Sequence, residues 1–126
     1  MKKLIVLVFI AIASVCQAQT ILVSNKNQIA SYDTYLKDYL YSNINYQKIE
    51  FKFYETAIVV NDRSQSVYRI KSNPKTEKTQ NYNEVSWVCQ DEENRKCIVT
   101  VVKLLKTNTD QIIVAYSDKI FVYYLN

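Results

Sequence analysis

The stretch "EVSWVCQDEENRKCIVTVVKLL", Glu84 to Leu105, decides how this chain is built. Its first arm places Val85, Trp87 and Cys89 on one side and Glu84, Ser86 and Val88 on the other. Its second arm is a β-branched run. A period of two with β-branched residues is the signature of a half-buried strand. The charged segment between the arms folds naturally as a hairpin loop of Glu92, Glu93 and Asn94, with Asn94 in the left-handed position that Gly usually takes. Asp91 then faces Arg95, Gln90 faces Lys96, and Cys89 faces Cys97. Directly opposed antiparallel residues lie ~4.5–5.5 Å apart at Cα, inside the disulfide window. Asp91 and Arg95 form an opposite-charge pair beside them. Cys89 and Cys97 lack the Cys-x-x-Cys spacing of redox motifs, and two soft ligands are too few for a metal site. A structural disulfide is therefore expected, worth about 2.5 kcal/mol by loop entropy. Trp87, on the same strand face, is expected to anchor the core.

The same alternation continues on both sides. In "KIEFKFYE", Ile49, Phe51 and Phe53 share one face and Lys48, Glu50 and Lys52 the other. "TAIVVNDRSQSVYRI" is two strand arms around a turn cluster, and "QIIVAY" and "KIFVYYLN" are further runs separated by "SD". The chain has no Gly, so Asn and Asp must supply left-handed turn residues. "NQIASYDTYLKDYLYSN", residues 27–43, is ambiguous. Ile29, Tyr32, Leu36 and Tyr39 would line one face of a helix, yet Tyr and β-branched residues favour a hairpin around Asp33–Asp38. The hairpin reading makes the chain all-β. A small antiparallel meander of roughly 7–9 strands, closing as a sandwich or barrel, is expected. The polar stretch 71–83, holding the only proline, Pro74, reads as a surface loop. Two runs, "KIFVYYLN" and "CIVTVVKLL", are largely apolar on both faces, which calls for cover on both sides.

The N-terminus sets the compartment. "MKKLIVLVFIAIASVCQAQT" has a basic start and then an apolar run of about ten residues, too short to span a ~30 Å hydrocarbon core. It fits a secretory signal of residues 1–18, cleaved between Ala18 and Gln19. Lipid attachment at Cys16 is the weaker reading, because Val15 and Ala13 do not match a lipoprotein signal. A secreted or periplasmic single domain over residues 19–126 is expected, from a bacterial chain by its Lys-, Asn-, Ile- and Tyr-rich usage. Removing Lys2 and Lys3 takes the formal charge from +4 to +2. That bias is too small to argue for nucleic acid.

The missing residues exclude the most. Without His there is no Ser-His-Asp or Cys-His pair and no imidazole metal site. Without Gly there is no phosphate-cradling loop. No cofactor is expected. The carboxylates Glu50, Glu55, Asp62, Asp91, Glu92, Glu93 and Asp118 could serve a small hydrolase, but they fall at strand faces and turns where solvation explains them. Arg63, Arg69 and Tyr68 could form a small polar site, but a turn explains them better. Eleven tyrosines could line a carbohydrate or peptide surface, but Tyr is a good strand residue favoured by AT-rich coding, and that explains their number better. The sequence thus points to a non-catalytic binding or structural envelope module whose partner, a protein or a small apolar molecule, it does not name. The alternative is a lipocalin-like barrel holding a small apolar molecule, a likeness limited to size, export and strand count.

Overall fold

The computed structural model describes residues 20–125. The expected signal segment, the cleavage point at Ala18 and Gln19, and Cys16 lie outside the described residues. Ten strands follow one another: β1 (Thr20–Asp33), β2 (Asp38–Tyr41), β3 (Asn45–Phe53), β4 (Ala57–Asn61), β5 (Gln65–Ile70), β6 (Lys75–Lys78), β7 (Tyr82–Gln90), β8 (Lys96–Leu104), β9 (Thr109–Ala115) and β10 (Lys119–Leu125). No helix occurs among the described residues. All pairings are antiparallel, and β10 returns to pair with β1. Eight strands thereby close a barrel, with β2 and β6 as additions outside it. The all-β reading holds: eight strands close the barrel, within the seven to nine expected, and β2 and β6 bring the total to ten.

The inward residues are those that the alternation selected. Ile49, Phe51, Phe53, Val85, Trp87 and Cys89 are all buried and belong to one core cluster. Phe51 meets Tyr123 edge-on with centroids 4.8 Å apart, and Phe53 lies 5.5 Å from Trp87. Large side chains of this kind contribute about 1.5–3 kcal/mol each when fully buried. The barrel interior is a packed aromatic core. Trp87, 4% exposed, is the core residue that the sequence predicted.

Three turns need a left-handed residue, and the glycine-free chain supplies Lys37 (φ 55°), Asn94 (φ 64°) and Asn108 (φ 54°). Asn is the usual substitute; Lys is not. The β7–β8 hairpin has the expected register, with Gln90 opposite Lys96 and Cys89 opposite Cys97. Asp91 N–H donates to the Arg95 carbonyl at 2.9 Å, and Asn94 N–H to the Asp91 carbonyl at 3.0 Å.

Two expectations are corrected. Cys89 and Cys97 are free thiols, not a disulfide. Counting two residues in from the hydrogen-bonded Asp91 and Arg95, the pair falls at a wide, hydrogen-bonded position of the ladder. The Cys89 thiol is turned along its own strand, donating to the Trp87 carbonyl at 3.8 Å. The second correction concerns residues 71–83, which contain β6, paired with β7 from Asn83 to Ser86. Its residues are exposed on both faces, so burial leaves no pattern there to read. Thr79 Oγ1 accepts from the N–H groups of Asn81 and Tyr82 at 3.1 Å and shapes the turn.

Residues 27–43 form the hairpin, not the helix. Asp33 pairs with Asp38, Tyr32 with Tyr39 and Ala30 with Tyr41. Asp33 Oδ1 accepts from the N–H groups of Tyr35 and Leu36 at 2.8 and 2.9 Å, which shapes the turn chosen by the sequence.

Candidate functional site

Four turns meet at one rim of the barrel, because β1, β4, β7 and β9 all run toward it: the β1–β2, β4–β5, β7–β8 and β9–β10 connections. Two regions of this rim, and one toward the opposite end of β7, carry side chains with something to offer.

The first is built on Asp91, which is buried. Its Oδ1 accepts from Glu93 N–H and Arg95 N–H at 2.9 and 2.8 Å. Its Oδ2 accepts from Arg95 Nε at 3.0 Å and from the Tyr116 hydroxyl at 2.8 Å. Burial opposes the charge, but the Arg95 N–H, the Tyr116 hydroxyl, the Glu93 N–H and the Arg95 guanidinium outweigh it, so the carboxyl is held below its ordinary value. Burial, then donation to Asp91, holds the Tyr116 hydroxyl protonated far above its ordinary range. Arg95 also lies 5.1 Å from the centre of the Tyr116 ring. Every acceptor site on Asp91 is therefore spent on holding the β7–β8 loop. It is a lock, with no lone pair left for acid–base work.

Two pockets open to solvent beside it. One of about 120 Å³ lies between Tyr68, Asp91 and Tyr116. A groove of about 700 Å³ runs between Arg95–Ile98 and Ala115–Asp118. Cys97 borders that groove, but burial pushes its thiol up to about 11 and the Cys89 thiol up to about 12. Neither is an activated nucleophile. Arg69 donates to Asn94 Oδ1 at 2.8 Å and Glu92 accepts from Val67 N–H at 3.3 Å, so both brace the same loop. Glu55, Asp62, Arg63, Glu93 and Asp118 are exposed and Glu50 half-buried, spread over separate turns and strands. Of the candidate carboxylates, Asp91, Glu92 and Glu93 line the small pocket together, with Arg95 paired to Asp91 and Glu93, and the others do not join them. Among the described residues, no three His, Cys, Asp or Glu side chains converge on a metal position.

The second region is a carboxylate pair absent from the sequence reading. Glu77 and Glu84 are directly opposed across β6 and β7. Burial, then the Glu77 charge, raises the Glu84 carboxyl, with Lys75 opposing. The Tyr82 hydroxyl donates to Glu77 Oε1 at 2.8 Å. The pair lies on an outer strand face, and neither pocket above includes it.

The third region is the β1–β2 hairpin with the adjoining ends of β3 and β10. Ten large hydrophobic side chains are exposed among the described residues, and eight of them lie between Ile29 and Tyr46. Tyr35, at the tip, is 92% exposed, and Tyr46 is 77% exposed. The ladder assigns faces. Tyr46, Lys26 and Tyr124 form one row across β3, β1 and β10. Tyr41 pairs with Ala30, and Tyr39 with Tyr32, on the same outer face two and three steps further along. Tyr32 and Tyr39 meet edge-on at 5.3 Å. Lys26 Nζ sits 5.5 Å from the centre of the Tyr124 ring, and the Tyr124 hydroxyl donates to Gln28 Oε1. Five tyrosines thus share one outer face of the sheet. The outward side of β10, expected to need cover, is part of this face: Tyr124 lies under Lys26, while Phe121 and Tyr123 pack inward. No helix of the described chain is long and apolar enough to cross a membrane. Comparison with protein-family models, curated proteins and solved structures gave no match.

Proposed function

We propose that this chain is an exported, non-catalytic binding module that recognises a protein partner through the tyrosine face of β1, β2, β3 and β10. The observation that carries the reading is the concentration of exposed apolar side chains between Ile29 and Tyr46. Tyr32, Tyr41 and Tyr46 among them lie on the outer face, and exposed apolar patches mark interaction sites. The composition of the segment supports a protein partner. "SYDTYLKDYLYSNINYQ" combines Tyr with Ser and Asn. Tyr supplies rigid contact area at low entropic cost, and Ser and Asn supply adaptable hydrogen bonding. The filled interior speaks against the carrier reading, since Phe51, Phe53 and Trp87 occupy the space a ligand would need.

Site-specific photo-cross-linking in a native host tests this. A photoreactive residue replacing Tyr41 is expected to capture a partner protein, and one replacing Lys106, at the opposite end, is not. Capture at position 106 alone, or a stoichiometric apolar molecule recovered from inside the folded barrel, would overturn the proposal.

A further inference from the structure

β2 ends the sheet. It pairs with β1 on one side and with no described strand on the other. The ladder fixes which of its backbone groups are free. Ser42 N–H donates to the Ile29 carbonyl at 2.8 Å. Stepping by two, Leu40 and Asp38 turn their N–H and C=O groups toward β1, while Tyr39 and Tyr41 turn theirs outward.

We infer that this edge pairs with β2 of a second copy, antiparallel, about a two-fold axis through Leu40. In that register Tyr39 of each copy exchanges both hydrogen bonds with Tyr41 of the other, so every outward group of both strands is satisfied. Leu40, half exposed in the single chain, meets its own symmetry mate across the axis as the close, non-hydrogen-bonded pair. Asp38 comes opposite Ser42, so no like charges are opposed. On the outer face, Tyr39 of one copy lies beside Tyr41 of the other, the kind of aromatic cross-strand contact that stabilises sheets. Asp33, Lys37 and Asp38 are the charges on the hairpin, and their near balance leaves little repulsion between copies. The contact is isologous and uses up the β2 edge, so association closes at two copies instead of growing into a fibre.

One contact must yield. Asp38 Oδ1 accepts from Tyr39 N–H at 2.8 Å, which satisfies the edge in the single chain and exchanges for the Tyr41 carbonyl of the second copy on pairing. The two tyrosine faces then join into one sheet. This consequence rests on the recognition role proposed above; the pairing itself does not.

Sedimentation of the exported protein across concentration tests the pairing, and twice the chain mass is expected. Leu40→Lys sets two ammonium groups face to face and is expected to return a single chain mass, folded, with a melting temperature that no longer rises with protein concentration. Leu40→Cys is expected to form an interchain disulfide on oxidation, because the symmetry-related pair is close. Cys89 and Cys97 do not compete, being buried with thiols pushed up to about 12 and about 11. A chain that stays single at every soluble concentration overturns the inference. So does a dimer that survives Leu40→Lys and leaves Leu40→Cys uncoupled. A single chain that still captures a partner through position 41 sinks the dimer alone, whereas a dimer that captures none sinks the recognition role.

Discussion

β2 and β6 are both four-residue strands that hang on the barrel by one neighbour, yet they present opposite edges to solvent. β6 reads Lys-Thr-Glu-Lys, every residue exposed. Charged side chains, Lys above all, are how sheet proteins deter edge-to-edge pairing. β2 reads Asp-Tyr-Leu-Tyr and carries one deterrent, Asp38, whose carboxylate covers a single N–H. The β6 hairpin tolerates Glu77 directly opposite Glu84, a like-charge arrangement that destabilises a ladder. The β2 hairpin holds Lys37 in a left-handed conformation, which a residue with a Cβ adopts at a cost. Each hairpin gives up some stability, β6 through the opposed Glu77 and Glu84 and β2 through the left-handed Lys37.

Both hairpins depend on the barrel, and the largest expected effect lies there. Trp87 sits on β7, the strand that carries β6, and packs beside Phe53 in the core. Trp87→Ala is expected to cost ~3–5 kcal/mol, read as a drop in the denaturation midpoint. Tyr35→Ser at the hairpin tip should move it by less than about 0.5 kcal/mol. Equal losses from the two substitutions would erase the division between a supporting barrel and a presenting hairpin.

That division was partly legible from sequence. Ile49, Phe51, Phe53, Val85 and Trp87 declare their faces because one side of each strand is buried, and Asn94 declares its turn because no Gly is present to compete. β6 stayed hidden because it buries neither face, so only backbone pairing defines it. Closure by β10 on β1 joins residues far apart in the chain and leaves no local mark. The tyrosine face was hidden for a sharper reason. The register of β1 shifts between Ser24 and Lys26 against both β3 and β10, so Ser24 points inward with Leu125 while Lys26 lies outward with Tyr124 and Tyr46. Simple alternation through that point puts Lys26, Gln28 and Ala30 on the wrong side, and the tyrosines with them. The state of the thiols was equally out of reach, because opposition in the ladder is a matter of register, whereas bonding also depends on side-chain rotation.

An intermediate effect is expected at the rim lock. Replacing Asp91 by Asn keeps an acceptor for Tyr116 and removes the counter-charge of Arg95. Hydrogen bonds to charged groups contribute about 1.5–3 kcal/mol, so a loss of about 1–3 kcal/mol at neutral pH is expected. The pH dependence carries its own sign. The folded-state carboxyl is held below its ordinary value, so its stabilisation is present above the unfolded pKa of about 3.9 and is lost as pH falls through the lower folded value. Wild-type stability should decline below about pH 4 more steeply than that of Asp91→Asn. Parallel acid profiles would mean that the loop is held by its backbone bonds alone, and the rim would offer no rigid footing to the hairpin beside it.

The smallest effect on stability, and the most direct on the comparison, comes from giving β6 the pattern of β2. Thr76→Tyr, Glu77→Leu and Lys78→Tyr together turn Lys-Thr-Glu-Lys into Lys-Tyr-Leu-Tyr. The changes remove the Glu77–Glu84 repulsion and the Tyr82–Glu77 hydrogen bond, two modest terms of opposite sign. Exposed substitutions of this kind usually stay within about 0.5 kcal/mol each, so the midpoint should move by no more than about 1 kcal/mol. Association should respond strongly. Made in a Leu40→Lys background, where the β2 edge is blocked, the triple change is expected to restore a species of twice the chain mass, now through β6. Built on wild type, with two competent edges on each copy, it should produce longer assemblies, since nothing closes the contact. If the grafted chain remains single, an aromatic edge is not sufficient for pairing. The difference between the hairpins would then lie in the shape of the β1–β2 projection and not in the chemistry of its edge.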